Sequence, residues 1–177
     1  MANNLSCPVP SNINPLSPNG FNFSIQKMPA VSFFCQEVNL PGLTLPTIDI
    51  LNPLGYNPFA GDVISWDDLT IQFLVDENMA NYKSLYDWIV GLGFPTDHSQ
   101  FQDFSDSQNN YSGRLMKEFS DGTLQILGSN NQPVQTIRYV DIVITSLGAM
   151  TFQSTNTDVN YLIGSATFKY NSFEFVE

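Results

Sequence analysis

Few residues of this chain have the types and spacing that catalysis or metal binding requires. There is one histidine, His98, in a polar stretch, and there are two cysteines, Cys7 and Cys35, far apart in sequence. A structural zinc site uses four Cys or His ligands, which is more than the chain contains. Serine-based acyl transfer needs a neighbouring base, for which only His98 or a buried lysine could serve. No Gly-rich phosphate loop, G-x-S-x-G elbow or H-E-x-x-H sequence occurs. We therefore expect no enzymatic activity, no cofactor and no bound metal.

Carboxylates are the remaining candidates for chemistry, because glycosidases and Ca²⁺ sites rely on them. Asp67 and Asp68 are adjacent at the start of a predicted strand, where neighbouring side chains point to opposite faces. Asp97, Asp103 and Asp106 lack the spacing of a helix-loop-helix Ca²⁺ loop. We interpret these acids as solvated charge.

The net charge is strongly negative. Seventeen acidic residues against six basic ones give −11 at pH 7. This balance opposes binding to nucleic acid, which depends on Lys and Arg displacing counterions. It is typical of a soluble protein, and it would also suit the wall of a channel through which DNA passes without sticking.

Length and composition favour one compact domain. The chain has 177 residues, and its 42% hydrophobic content excludes a disordered polypeptide. No apolar run approaches the ~20 residues that cross a bilayer, so we expect no membrane insertion. The first residues, MANNLSCPVPSN, lack the features of a secretory signal. A cytoplasmic origin favours two reduced thiols, although a disulfide between Cys7 and Cys35 stays open.

Hydrophobic periodicity changes from that of a strand to that of a helix between Leu69 and Gly91. Leu69, Ile71, Phe73 and Val75 alternate with more polar residues, which predicts a strand with one covered face. Helical spacing then predicts one amphipathic helix over about residues 78–91. We expect its stripe to seal the core, with one side available to a neighbouring subunit. The predicted packing residues are Tyr82, Tyr86, Trp88 and Ile89.

Elsewhere the chain has the alternation of strands. Strands are predicted at 21–26, 31–36, 123–127, 134–144, 147–153 and 166–175, the last with a bulge near Asn171-Ser172 that would keep one inward face. About seven or eight strands and one helix predict a mainly β fold. The expected architecture is an antiparallel β-sandwich or small barrel with one flanking α-helix.

Three segments do not follow these periods. Residues 1–20 are rich in Pro, Asn and Ser and predict an extended N-terminal arm that precedes the β domain at 21–177. Leu40–Asp62 is both turn-rich and apolar, so we expect this long loop to pack against something. The polar stretch 93–113 is long for a connection, and is therefore functional, flexible or held by a neighbour.

Three motifs in consistent order resemble the tail-tube proteins of contractile-tailed bacteriophages of the T4 type. The first is G-D, then W-D-D-L-T-I-x-F-L-V-D-E and a helix containing L-Y-D-W, within 61–94. The second is V-S-F-F-C-Q-E-V-N-L-P-G (Val31–Gly42), and the third is the closing A-T-F-K-Y-N-S-F-E-F-V-E (Ala166–Glu177). The resemblance covers roughly residues 21–177.

The resemblance implies a structural role. In that family two packed antiparallel sheets carry one flanking helix, six copies close into a ring, and rings stack into a tube. We expect a subunit of the inner tail tube, assembled in the host cytoplasm into the virion as stacked hexameric rings. Sheath and baseplate proteins would be its partners, and DNA would pass through an acidic channel without specific binding. The 40–62 loop would reach the adjacent ring or subunit through Leu43, Leu45, Ile48, Ile50, Leu54, Tyr56 and Phe59.

Alternatives remain within and outside this class. A baseplate tube initiator or a tail terminator ring of the same fold would differ mainly in which ring face is free to add copies. A secretion-system tube protein shares the architecture. From another class, a monomeric β-sandwich binding module could use the aromatic residues of the 93–113 loop.

Overall fold

The computed structural model describes residues 13–93, 96–97, 99–102, 118–154 and 160–176. The strands are β1 (Phe21–Ile25), β2 (Cys35–Val38), β3 (Leu43–Thr44), β4 (Thr47–Asn52), β5 (Gly55–Ala60), β6 (Ser65–Trp66), β7 (Leu69–Leu74), β8 (Ser120–Leu127), β9 (Pro133–Leu147), β10 (Ile163–Lys169) and β11 (Ser172–Val176). Two helices are described with both ends, α1 (Pro29–Phe33) and α2 (Ala80–Gly93). The fold is therefore mainly β with a flanking helix, as predicted.

The main sheet is antiparallel, with strand order β1-β8-β9-β10-β7-β2, and β11 pairs with β9. β1 and β2 lie at opposite ends of this order, yet only residues 26–34 separate them in sequence. The sheet must therefore curl back towards itself, and α1 lies between its two ends.

Strand β9 belongs to two parts of this sheet. Its earlier residues pair with β8 and β11, and its last residues pair with β10. The register against β8 shifts between Ser120 and Gly122, and Asp141 has a φ of 56°. Such a bulge bends a strand and re-aims it. We call β1, β8, the start of β9 and β11 the first half-sheet, and the end of β9, β10, β7 and β2 the second half-sheet.

Alternate residues of both half-sheets point into a single core. Ile71 and Phe168 from the second half-sheet and Phe23 and Ile137 from the first are essentially inaccessible. Trp88 of α2 is equally buried and packs 6.2 Å from the Phe168 ring. Burying a large apolar side chain contributes roughly 1.5–3 kcal/mol, so the helix is part of the core and not an appendage.

The strand predicted at 31–36 is wrong. Residues Pro29–Phe33 form α1, and β2 begins only at Cys35. Pro29 stands in the first turn, where its missing N–H and fixed φ suit a helix. The Ser32 hydroxyl donates to the Met28 carbonyl and accepts the Ile25 N–H, which holds this turn against β1. Local hydrogen bonding therefore overrides the alternation of apolar residues.

Two further predictions are corrected in the C-terminal third. Leu147 ends β9, and residues 148–153 form no strand. The last strand does break just before Ser172, but its register against β9 is unchanged from Lys169↔Val143 to Ser172↔Val140. The register shift lies earlier, between Thr167 and Phe168.

Helix α2 starts at Ala80, slightly later than predicted. Asn81 organises this start. Its Oδ1 accepts the N–H groups of Asp76 and Tyr82, and its Nδ2 donates to the Leu74 carbonyl at 2.7 Å. Because Asn81 is buried, these bonds fix the turn from β7 into α2.

Candidate assembly surfaces

The apolar segment Leu40–Asp62 contains a hairpin that projects from the body. β4 pairs with β5 from Thr47↔Ala60 to Asn52↔Gly55, and every residue of both strands is exposed. We call residues 47–60 the projecting hairpin. Gly55 at its tip has a φ of 152°, a conformation that residues with a Cβ rarely adopt.

Apolar side chains cover both faces of the projecting hairpin. The pairing puts Ile48, Ile50 and Phe59 on one face and Leu51 and Tyr56 on the other. An isolated two-stranded hairpin is marginally stable, and a contiguous exposed apolar surface marks an interaction site. All the contact residues predicted from the sequence are exposed here or beside it: Leu43, Leu45, Ile48, Ile50, Leu54, Tyr56 and Phe59. Their contact with another subunit stays a prediction.

A short ribbon connects the projecting hairpin to the body. Leu43 and Thr44 of β3 pair with Trp66 and Ser65 of β6. The Trp66 ring lies edge-on against Phe173, with ring centroids 5.0 Å apart, and 6.1 Å from Tyr170. The base of the hairpin is therefore attached to the end of β10 and to β11 by aromatic packing.

Behind Trp66 lies an aromatic cluster, formed by Trp66, Tyr139, Tyr170, Phe173 and Phe175. The rings of Tyr139 and Tyr170 are 5.3 Å apart. Both hydroxyls are buried, and neither has a hydrogen-bond partner among the described residues. Burial raises the pKa of Tyr170 to about 12, with Asp67 and Asp68 adding to the effect. Burial, and then the neighbouring Tyr170, also raises the pKa of Tyr139 far above its usual value. Both tyrosines therefore keep their hydroxyl protons at pH 7, and their rings contribute to the packing of the cluster.

The sheet has open edges. In the described part of the chain, β1 pairs only with β8, β11 only with β9, and β2 only with β7. The first half-sheet thus has two free edges, β1 and β11. Unpaired backbone groups along such edges are templates for pairing with another chain.

The helix residues predicted to pack do not behave alike. Trp88 is buried, and Tyr82 and Ile89 pack partly buried against the core. Tyr86 is the exception, because 54% of its surface is exposed. The buried positions Asn81, Leu85 and Trp88 form one face of α2, and Tyr86, the next residue after Leu85, is turned about 100° away from it.

Lys27 is the one strongly perturbed cation among the described residues. Its Nζ lies 5.4 Å from the centroid of the Trp88 ring. Burial lowers the pKa of Lys27 to about 8, and the nearby Glu118 opposes this shift. The Trp88 indole N–H donates to the Glu118 carbonyl at 3.2 Å. These contacts join β1, α2 and the approach to β8.

Groups capable of chemistry are not brought together. Among the described residues, no three His, Cys, Asp or Glu side chains are placed to hold a metal ion. Cys35 is a free thiol, and burial raises its pKa to about 11. Cys7, His98, Asp103 and Asp106 lie outside the described residues.

An open cavity of about 320 Å³ lies beside the β9 bulge and contains the Arg138–Asp121 ion pair. Its lining residues are Gln26, Phe119, Ser120, Asp121, Arg138, Val140 and Asp141. None of the helices described is both long and apolar enough to span a bilayer.

Comparison with solved structures identifies the class of fold. A chain of the sheath-tube complex of the extracellular contractile injection system PVC matches with a TM-score of 0.61 at 16% identity, over 92% of this chain and 91% of that one. A chain of the PVC sheath/tube terminator matches with a TM-score of 0.62 at 17% identity, over 93% and 98%. The fold is thus that of tube-forming proteins of contractile systems.

Sequence comparison then gives the family. The model for the phage tail tube protein family matches residues 4–176, so the chain belongs to that family and is a structural protein of a phage tail. A curated relative, the tail tube terminator protein of Enterobacteria phage T4, is 26% identical over 149 residues, covering 82% of this chain and 78% of the relative.

Proposed function

We propose that this protein is a terminator ring of a contractile phage tail tube, and not the repeating tube subunit that the motifs first suggest. The choice of a terminator over a tube subunit rests on the relative that is named a tail tube terminator, because its similarity extends over most of both chains. The solved folds do not separate the two roles, because the tube complex and the terminator match almost equally well. The role is structural and involves no enzymatic reaction.

Ring closure would use the free edges of the first half-sheet. Joining the β1 edge of one copy to the β11 edge of the next would satisfy backbone groups that a single copy leaves unpaired. Repeating this heterologous contact around an axis produces a closed ring. We propose a hexamer, built in the host cytoplasm.

The projecting hairpin would provide the contact along the tail axis. Its exposed side chains, including Ile48 and Leu54, are too apolar to remain solvated in an assembled particle. A neighbouring ring of the tube, or a sheath protein at its end, would cover both faces. The ring itself would then add no further copies on its other side.

The outer face of the first half-sheet suits a channel wall. Its outward residues are mostly polar and uncharged, among them Asn22, Ser24, Gln125 and Thr136. Such a surface offers few cations to phosphate, and a net charge of −11 repels DNA at longer range. DNA would therefore slide past without specific binding.

Electron microscopy of the purified protein over a wide concentration range tests the proposal. A terminator should form single rings that do not lengthen and that bind one end of purified tail tubes. Growth into long tubes at high concentration would instead identify a tube subunit. A monomer at every concentration, with no binding to tubes, would favour the monomeric binding module.

A further inference from the structure

Arg138 is the one cation in the strands of the first half-sheet, as far as the structure describes them. It lies in β9 between Ile137 and Tyr139, which are both fully buried, so its side chain points to the outer face of the sheet. That side chain is 54% exposed. A guanidinium group is well suited to bind phosphate through two hydrogen bonds. On a channel wall, Arg138 would therefore be the group of this half-sheet most able to hold passing DNA.

Asp121 of β8 is placed to neutralise this cation. Its Oδ2 accepts a hydrogen bond from the Arg138 guanidinium at 2.9 Å. Its Oδ1 accepts the Asp141 N–H at 3.5 Å, and its carbonyl accepts the Gln26 N–H at 3.1 Å. The register shift in β9 is what brings Asp141 opposite Asp121. The bulge thus helps to hold the carboxylate towards Arg138.

A second carboxylate flanks Arg138 on the strand at its other side. Glu174 of β11 pairs directly with Arg138 in the antiparallel register. Directly opposite residues share one face of a sheet, with Cβ atoms about 4.5–5.5 Å apart. Arg138 therefore has a carboxylate on each neighbouring strand, and the two acids outnumber the one base.

The open cavity beside the β9 bulge is the place where a phosphate group would reach Arg138. Arg138 is the one cation among its lining residues, and the carboxylates of Asp121 and Asp141 line it as well. A phosphate there would have to compete with Asp121 for the guanidinium and would stand close to two like charges. Both effects oppose binding.

We propose that Asp121 and Glu174 make the outer face of the first half-sheet inert towards DNA by neutralising Arg138. This inference rests on the proposed ring, in which that face lines the channel, and it names the residues that keep the wall from holding phosphate. Exposed ion pairs contribute little to stability. The arrangement therefore matters more for what this surface repels than for the fold.

Binding of a short fluorescent DNA duplex to purified rings tests the proposal. The test variant combines Asp121→Asn with Glu174→Gln, which keeps the side-chain shapes and leaves Arg138 without a carboxylate on either neighbouring strand. We expect its rings to bind the duplex roughly tenfold more tightly than wild-type rings at low salt, and to lose this gain as the salt concentration rises. Asp121→Asn alone should give a smaller gain in the same assay.

The matched control is the triple variant that adds Arg138→Gln, because it lacks the same two carboxylates but presents no cation. It should bind the duplex as weakly as the wild type, and electron microscopy and melting temperatures confirm that each variant folds and forms rings. Equal binding by the double and triple variants would overturn the proposal, since the loss of negative charge alone would then explain the gain. Double-variant rings that bind DNA no better than the wild type would also overturn it and leave the terminator ring standing. A wild-type protein that forms no rings would refute both.

Discussion

Trp66 lies edge-on against Phe173, with ring centroids 5.0 Å apart and planes inclined by 71°. Trp66 belongs to the ribbon below the projecting hairpin, and Phe173 belongs to β11 near the C-terminus. This contact ties the orientation of the hairpin to the edge strand that we assign to ring closure. The Trp66–Phe173 contact therefore links the base of the projecting hairpin to β11.

Replacing Trp66 by Ala should loosen this connection. We expect a loss of about 1–3 kcal/mol in the free energy of unfolding, because Trp66 is half-buried and packs on two rings. Binding to tube ends should weaken beyond what the stability loss explains. Denaturant titration and a tube-binding assay measure the two effects, with Trp66→Phe as the conservative control. Normal tube binding by Trp66→Ala would show that the hairpin does not depend on this anchor.

Replacing Ile48 by Asp should affect assembly without affecting the fold. Ile48 is 63% exposed on the projecting hairpin, so the free energy of unfolding should change by no more than about 0.5 kcal/mol. Affinity for tube ends should fall at least tenfold, because a charge would enter the proposed contact. The control is Phe33→Asp, on an apolar residue of α1 that is 82% exposed. If both variants bind tubes equally, the hairpin is not the contact surface.

The backbone at Asp141 should prefer glycine. Its φ of 56° lies in the left-handed region, which costs a residue with a Cβ roughly 1 kcal/mol. We expect Asp141→Gly to be neutral or to stabilise by up to about 1 kcal/mol, whereas Asp141→Val should destabilise. Thermal melts of both variants provide the measurement. If Asp141→Gly is less stable than the wild type, the contacts of the Asp141 side chain contribute more to stability than the left-handed backbone costs.

Lys27 should make stability rise with pH in the alkaline range. Its folded pKa of about 8 is below the ordinary value of 10.5, so the unfolded chain binds the proton more tightly. The cost of burying the charge is present in full below pH 8 and is relieved as the pH rises towards 10.5. Lys27→Met keeps the stem and removes the charge. We expect it to stabilise at pH 7 by about 1 kcal/mol, after allowance for partial exposure, and to reduce this pH dependence. If Lys27→Met leaves the pH dependence of stability unchanged, Lys27 is not the group responsible for it.

Tyr139→Phe should not destabilise the protein. The buried hydroxyl has no hydrogen-bond partner among the described residues. Its removal eliminates an unsatisfied buried polar group and should raise the free energy of unfolding by up to about 1 kcal/mol. Because the folded pKa is raised, the wild type should also lose stability as the pH rises above 10, and the variant should lose less. Urea midpoints at pH 8 and pH 11 measure both effects. A loss above about 1 kcal/mol at pH 8 would indicate that the hydroxyl is hydrogen-bonded after all.

Hydrophobic periodicity correctly predicted strands that have one face covered by the core. β7 alternates strictly between buried and accessible residues, β1 does so from Asn22 onward, and both were predicted at nearly their observed bounds. The same criterion failed at Val31–Phe33, where the Pro29 start and the Ser32 hydroxyl favour a helical turn. Tyr86 is exposed in the single chain, and a broad apolar stripe does not show which side of α2 meets the core.

The candidate surfaces were only partly predictable. The apolar character of Leu40–Asp62 showed that this segment needs a partner, but not that residues 47–60 form a hairpin exposed on both faces. The aromatic cluster joins residues from β6, β9, β11 and the break between β10 and β11, and no local pattern connects Trp66 with Phe173. The first half-sheet likewise combines three distant parts of the chain, namely β1, the consecutive strands β8 and β9, and β11.

The sequence by itself determined the mainly β class, the amphipathic helix, the family resemblance and the absence of a recognisable catalytic motif, because each depends on local period or residue type. Tertiary structure alone decided where β9 bends, which strands keep a free edge, and that residues 47–60 form a hairpin exposed on both faces. These features depend on pairing between residues far apart in the chain. Such pairing is selected by the packing of the whole core and leaves little trace in any single segment.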